Sequence, residues 1–234
     1  MAYHVRSKGL SPLHPASIDL TEWASPIENQ SQLGSCTAQA IVGAYELLLN
    51  KNYPDQFVDL SRLFVYYNAR MFDNYIFEDV GAYIHDGIDA VATYGVCAES
   101  IWPYNIEMFT VQPSAEAYAD AKTRTFKSYN RVYNTPDIIQ ALNQNQPVVI
   151  GVYLFEDFNK LSAANPILSM PKATDKTKGG HAMCITGYSL DNRLFKVRNS
   201  FGTDWGDNGY CYIPFDYGKE YFDDCWTFDI KLNP

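Results

Sequence analysis

The sequence lacks the features that would place the protein in a membrane, on a nucleic acid or in the secretory pathway. No apolar run reaches the length of a membrane span, and residues 1–6 are not followed by the apolar stretch of a secretory signal. The net charge is −9, so no cationic face is available to displace the counterions of a nucleic acid. We therefore expect a monomer with no nucleic-acid or membrane partner, either cytoplasmic or exported without a classical signal peptide.

The cysteine pattern argues against zinc-binding proteins and against disulfide-rich secreted proteins. The five cysteines are odd in number and include no CxxC pair. This pattern argues against a zinc site and against a complete disulfide framework, and it favours a reducing compartment. A single disulfide that involves Cys97 stays open at this point.

Helical periodicity dominates the first half of the chain. Apolar residues recur at steps of three and four after Ser35, which as an N-cap would place Cys36 in the first turn of a helix. Further helices are predicted at 61–71, capped by Ser61, and at 84–94, ending before Gly95. The apolar positions of the first helix are Ala38, Ile41, Val42, Tyr45, Leu48 and Leu49.

Strand patterns dominate the second half. The run 147–154 is apolar throughout and predicts a buried strand, preceded by a short helix at 136–143. Helices followed by strands indicate an α+β fold. We expect an N-terminal arm at 1–17, a mainly helical half at 18–125 and a β-barrel-like half at 126–234. The other predicted strands are 182–188, 194–198, 210–213 and 225–230.

One cysteine, one histidine and one asparagine stand in the order of a Cys-His-Asn peptidase. Cys36 follows Gln30 by six residues, and a helix N-terminus favours its reactive thiolate. Far downstream, His181 follows two glycines and opens a predicted strand, and Asn199 begins the run Asn-Ser-Phe-Gly-Thr-Asp-Trp-Gly. This order is typical of Cys-His-Asn catalysis.

These motifs resemble the papain family of cysteine peptidases, nearly throughout the chain from Ile18 onward. The segments around Cys36 and at 95–99 are similar to a microbial branch of the family, represented by xylellain. The resemblance implies a papain-like fold, with a cleft between the two halves, and an endopeptidase that acts through a thioester on protein or peptide substrates. It implies no metal and no organic cofactor.

The same resemblance assigns roles to individual residues. His181 would exchange a proton with Cys36, and Asn199 would orient the imidazole. The side-chain amide of Gln30 would stabilise the oxyanion together with the backbone N–H of Cys36. Trp205 would flank the site as an aromatic wall, and Gly81 would let a substrate backbone approach closely.

The chain departs from the family pattern at three positions. Thr37 stands where the family has a tryptophan after the nucleophile, and Phe201 replaces the tryptophan that covers the Asn–His contact. Leu33 replaces a disulfide cysteine of secreted relatives, in agreement with a reducing compartment. Two other functions remain open: a catalytically silent protein that binds peptides or a partner, and an amidase or transferase that uses the same residues on a non-protein amide.

The prolines at positions 12 and 15 predict that residues 7–16 are an extended segment ahead of Ile18. At about 3.3 Å per residue this segment is long enough to reach across a cleft. It is expected either to restrain the active site or to be a loose tail.

Overall fold

The computed structural model describes residues 14–233, which form an α+β fold as predicted. Most of the predicted N-terminal arm, including residues 7–13, lies outside this range. In chain order the elements are β1 (Ser17–Asp19), α1 (Cys36–Asn52), α2 (Arg62–Phe72), α3 (Ile84–Tyr94), α4 (Ala115–Ala121), β2 (Arg124–Val132), α5 (Thr135–Asn143), β3 (Val148–Leu154), β4 (Gly179–Ser189), β5 (Leu194–Arg198), β6 (Tyr210–Pro214), α6 (Phe215–Tyr221) and β7 (Phe222–Leu232). None of the helices in this range is long and apolar enough to cross a membrane.

The strands form one antiparallel sheet in the order β2-β7-β3-β4-β5-β6, with β1 paired to the far end of β4. Across residues 14–233 the sheet does not close, because β2 and β6 remain its edges. The half that the sequence predicts to be β-barrel-like is therefore an open sheet with bulges and not a closed barrel. The predicted boundary at residue 125 falls inside β2, and the division into two halves stays a prediction.

Helix α1 is buried on every side from Thr37 to Leu49. The apolar periodicity correctly identified one buried face, but the opposite face is covered as well, because α1 packs against α2, α3 and the central strand β4. Such a helix is held by tertiary contacts rather than by helix propensity. Cys36, at its first position, is consequently held on a rigid element.

The two central strands, β3 and β4, divide their side chains between two hydrophobic cores. Ala182 and Cys184 face the helical core that contains α1, whereas Met183 and Ile185 face the second core. Both faces of the strands are buried, which explains the continuous apolar run in the sequence.

Local signals at the helix ends were only partly correct. Ser61 caps α2 as predicted, since its hydroxyl accepts a hydrogen bond from the backbone N–H of Phe64 at 3.1 Å. Ser35 occupies the N-cap position of α1, but its side chain does not cap the helix and bonds the Tyr104 hydroxyl at 2.6 Å. The sequence patterns missed β1, α4, α6 and β2. Strand β2 was not predicted because it is an edge strand, and edge strands are exposed and rich in polar residues.

A buried ion pair connects α1 to α2. Two oxygens of Glu46 accept hydrogen bonds from two nitrogens of Arg62, at 2.5 and 2.9 Å. The Ser25 hydroxyl and the Leu60 backbone N–H also donate to this carboxylate, at 2.6 and 2.9 Å. The Arg198 guanidinium reaches the carbonyl of Ser25 at 2.6 Å. Through Ser25, the ion pair therefore connects α1 and α2 to Arg198, the last residue of β5 and the neighbour of Asn199 in the chain.

We expect Glu46→Gln to lower the free energy of unfolding by roughly 3–5 kcal/mol, because it removes the one buried counter-charge of the buried Arg62 guanidinium among the described residues. The matched control is Asp59→Asn, which removes an exposed partner of the same arginine and should cost less than about 1 kcal/mol. Urea denaturation of both variants measures the difference. Equal losses would mean that the Glu46–Arg62 pair does not stabilise the fold in this way.

Candidate functional site

Cys36 stands at the N-terminus of α1, against the first part of β4. His181 and Ala182, both on this strand, and the backbone N–H of Thr37 lie close enough to its sulfur to lower the pKa of the thiol. The N–H groups of the first helical turn have no partner within the helix and carry partial positive charge. They therefore stabilise a thiolate at this position.

His181 lies between Cys36 and Asn199. Its Nε2 lies 2.8 Å from Asn199 Oδ1, which leaves Nδ1 to face the Cys36 sulfur. Asn199 follows the last residue of β5, and its backbone N–H donates to the carbonyl of Gly209 at 3.0 Å. The structure thus brings the three residues together from α1, β4 and the end of β5.

The two reacting groups shift each other's pKa in opposite directions. Burial alone would raise the pKa of the Cys36 thiol, but the hydrogen bond and positive charge of His181 outweigh it and lower that pKa. Burial alone would lower the pKa of His181, and the hydrogen bond and charge of Cys36 outweigh it and raise that pKa. Both shifts favour a thiolate–imidazolium pair.

Aromatic side chains cover the His181–Asn199 contact. The Phe201 ring lies 5.1 Å from the His181 ring and the Phe158 ring 5.8 Å from it, measured between centroids. Trp205 packs behind these rings, 5.8 Å from Phe201 and 5.1 Å from Phe158. Phenylalanine at position 201 therefore still covers the imidazole of His181. Phe158 was missed, because its loop carries no recognisable motif.

Gln30 is buried and held at both ends of its amide. Its Nε2 donates to the carbonyl of Leu33 at 2.9 Å, and its Oε1 accepts from the Ser200 hydroxyl at 2.6 Å. The Leu33 carbonyl also accepts from the backbone N–H of Ser35 at 2.8 Å, which places the amide next to the start of α1. One N–H of the amide is left for another acceptor. Ser200 was missed as a positioning residue, although it is adjacent to Asn199.

A cleft of about 760 Å³ opens beside Cys36 and His181. Gly81 lies on its wall with a φ of 83°, in the left-handed region that favours glycine. A Cβ there would lie 3.7 Å from the Gly34 carbonyl, an ordinary van der Waals distance, so the φ angle and not crowding favours glycine at this position. Trp205 does not line this cleft. Its predicted role in substrate binding stays a prediction, as does that of Gly81.

The five cysteines are all free, and four of them are buried. Burial raises the pKa of Cys97, Cys184 and Cys225 to about 12, and it also raises that of Cys211. Cys36 is thus the one thiol whose surroundings favour the thiolate. Cys97, for which the sequence left a disulfide open, therefore forms no disulfide in the structure.

We expect iodoacetamide to label Cys36 before the other cysteines. The labelling rate should persist well below the ordinary pKa of a thiol, which is about 8.5. Because its pKa is lowered, labelling should be lost only as the pH falls through that lowered value. His181→Ala should restore the ordinary pH dependence, whereas His14→Ala should not. Peptide mapping after brief labelling measures both. Faster labelling of a buried cysteine, or an unchanged profile in His181→Ala, would contradict the assignment.

Comparison with known proteins agrees with this geometry. Residues 14–223 match the family described as Papain family cysteine protease. An uncharacterized peptidase C1-like protein of Acanthamoeba polyphaga mimivirus is 40% identical over 218 residues, which cover 88% of this chain and 70% of that protein. Papain of Carica papaya is 27% identical over 206 residues, and the chain spans 53% of its length.

The fold also matches a solved structure of the same family. Xylellain, a cysteine protease from Xylella fastidiosa, superposes with a TM-score of 0.85 at 29% identity, over 94% of this chain and 87% of that one. The papain-like fold and the similarity to xylellain, both predicted from the sequence, are therefore confirmed. This chain belongs to the papain family of cysteine proteases.

Proposed function

We propose that this protein is an endopeptidase that hydrolyses peptide bonds through a thioester on Cys36. The observation that carries the proposal is the alignment of Cys36, His181 and Asn199, in which His181 Nε2 lies 2.8 Å from Asn199 Oδ1 and the pKa values of Cys36 and His181 are shifted in opposite directions. A thiolate beside a proton donor is the requirement for covalent attack on an amide. The open cleft beside it has room for an extended peptide.

In the first half-reaction, the Cys36 thiolate attacks the carbonyl carbon of the peptide bond and forms a C–S bond. The carbonyl oxygen becomes an oxyanion, which the free N–H of the Gln30 amide and the backbone N–H of Cys36 stabilise. The imidazolium of His181 then gives its proton to the amide nitrogen as the C–N bond breaks. The amine leaves, and a thioester remains on Cys36.

In the second half-reaction, His181 acts as a base. It removes a proton from water, which attacks the thioester carbonyl, and the same two donors stabilise the second oxyanion. Release of the acid breaks the C–S bond and returns the thiolate–imidazolium pair. Asn199 keeps the imidazole in the plane in which it can serve both steps, since its Oδ1 holds Nε2 at 2.8 Å.

The proposed activity is tested by digestion of an unfolded protein, such as reduced and alkylated serum albumin. Wild-type protein should release peptides with new internal termini, identified by mass spectrometry, and Cys36→Ala should lower the rate by roughly 10³-fold or more. An epoxide probe for reactive cysteines gives a second readout. Labelling without digestion would favour the amidase or transferase, and neither labelling nor digestion would favour the silent binding protein.

We expect Gln30→Ala to reduce kcat by roughly 10²–10³ with little change in KM, because its amide acts on the oxyanion and not on bound substrate. Asn199→Ala should do less harm, because Asn199 orients and does not react. Ser200→Ala is the matched control. It removes the hydrogen bond to Gln30 Oε1 but leaves the amide donor, so its kcat should fall less than that of Gln30→Ala.

These variants are measured on one small peptide substrate, with the rate of Cys36 alkylation recorded in parallel. Alkylation forms no oxyanion, so it should be unaffected in Gln30→Ala. Normal turnover in Gln30→Ala would mean that the oxyanion donors have been misassigned. An equal loss in Ser200→Ala would mean that Gln30 acts only by supporting the fold.

A further inference from the structure

A carboxylate from the loop between α2 and α3 contacts the turn that precedes the nucleophile. Asp79 accepts the backbone N–H of Gly34 with both of its oxygens, at 2.9 and 3.1 Å. Gly34 stands two residues before Cys36, and the neighbours of Asp79 in the chain, Glu78 and Val80, line the cleft. The contact therefore joins a wall of the cleft to the segment that carries the reactive thiol.

The Gly34 N–H belongs to the same peptide unit that holds the Gln30 amide. At the other end of this unit, the Leu33 carbonyl accepts a hydrogen bond from Gln30 Nε2 at 2.9 Å. A peptide unit is planar, so its N–H and its C=O cannot turn independently. Asp79 therefore fixes the direction of the Leu33 carbonyl. Its negative charge also polarises the peptide unit, which makes that carbonyl a stronger acceptor for the Gln30 amide.

Helix α2 holds Asp79 in place from two successive turns. The Tyr66 hydroxyl donates to Asp79 Oδ1 at 2.5 Å and accepts the backbone N–H of Gly81 at 3.3 Å. One turn later, the Arg70 guanidinium donates to the carbonyl of Glu78, the residue before Asp79, at 2.9 Å. Tyr66 and Arg70 are both fully buried, and the guanidinium lies 4.1 Å from the centroid of the tyrosine ring. The carboxylate is thus supported by a rigid element.

The close approach of Asp79 is possible because position 34 has no side chain. A Cβ on Gly34 would lie 3.0 Å from Asp79 Oδ1 and 3.3 Å from the backbone nitrogen of Gly81. Both distances are shorter than an ordinary van der Waals contact, so a side chain there would push the carboxylate away. All five cysteines are free, and no disulfide restrains the turn. Its position therefore depends on hydrogen bonds.

The other contacts of this turn do not reach the same peptide unit from outside. The Tyr104 hydroxyl bonds the Ser35 hydroxyl at 2.6 Å and donates to the Gln30 carbonyl at 3.0 Å. Ser200 holds only the oxygen of the Gln30 amide. Among residues 14–233, Asp79 is the one partner of the Gly34 N–H. Loss of Asp79 would therefore free the peptide unit to rotate, and the amide would follow its carbonyl.

We infer that Asp79 is a positioning residue for the reaction, which holds the Gln30 amide in place through the Leu33–Gly34 peptide unit. The inference rests on the proposed function, in which that amide is an oxyanion donor. Asp79 acts through Gln30 and touches no reacting atom. Its loss should therefore slow the steps that form an oxyanion and leave the reactivity of the Cys36 thiolate unchanged.

The test measures acylation of Cys36 by a p-nitrophenyl ester, with the protein in excess. The thiolate forms a C–S bond to the ester carbonyl through an oxyanion, and p-nitrophenolate leaves as the C–O bond breaks, so the signal does not require peptide cleavage. Asp79→Ala should lower the acylation rate about tenfold, the effect of one charge-assisted hydrogen bond. Alkylation by iodoacetamide, which forms no oxyanion, should stay within about twofold of the wild-type rate.

A double-mutant cycle shows whether Asp79 acts through the Gln30 amide. In the Gln30→Ala background, Asp79→Ala should lower the acylation rate by less than about twofold, because the donor is already absent. A merely structural role would give the same factor in both backgrounds. Asp79→Asn keeps an acceptor oxygen for the Gly34 N–H and should recover most of the loss. Tyr66→Phe removes one support of the carboxylate, and its rate should lie between those of the wild type and Asp79→Ala.

Asp191→Asn is the matched control for the loss of one surface charge. Asp191 is exposed in the turn after β4, beyond the end of the strand that is opposite His181. Its acylation and alkylation rates should equal those of the wild type. Circular dichroism checks that each variant is folded, which is expected for Asp79 variants because Asp79 is itself exposed.

The outcomes separate this inference from the proposed function. An unchanged acylation rate in Asp79→Ala, an equal loss of alkylation, or equal factors in the two backgrounds would overturn the role of Asp79, while digestion of protein by the wild type would leave the peptidase function intact. A wild-type protein that is acylated but cleaves no peptide contradicts only the proposed hydrolysis. A wild-type protein that is not acylated contradicts both.

Discussion

The packing of α1 against β4 is the constraint on which the rest of the structure depends. The thiolate of Cys36 and the imidazolium of His181 stabilise each other only if two segments far apart in the chain meet at one point. A helix buried on all sides achieves this, because it cannot slide or rotate without opening both cores. The buried Glu46–Arg62 pair connects the same helix to α2, and through Ser25 it reaches Arg198, the residue before Asn199.

The stretch after β5 positions two parts of the site at once. Asn199 holds His181, and Ser200, its neighbour in the chain, holds the amide of Gln30. The backbone N–H of Gln30 also donates to the Ser200 carbonyl at 2.9 Å, so the two segments are joined by main chain as well as by side chains. Phe201, the next residue, covers the histidine. Three consecutive residues thus contact the His181 imidazole, the Gln30 amide and the His181 ring face, and burial makes hydrogen bonds in this region stronger than in solvent.

The charges at the site and at the start of α3 are arranged differently. At Cys36 and His181, opposite charges face each other, and each favours the ionised form of the other. At Asp86, by contrast, burial raises the pKa of the carboxyl to about 6, and the like charges of Asp73 and Asp89 act in the same direction.

The sequence by itself determined the helices and strands with strong periodicity, and it singled out Cys36, His181 and Asn199, which the structure brings together. The apolar spacing in α1 and the continuous run in β3 are consequences of burial and can be recognised locally, as can the family motifs around Cys36, His181 and Asn199. Only the tertiary structure decided the rest. Edge strand β2 is polar, the sheet stays open, and Ser35 bonds Tyr104 instead of capping α1. The contacts of His85 with Asp86 and Asp224 belong to this second group, because the two carboxylates are far apart in the chain and come together only where α3 meets β7.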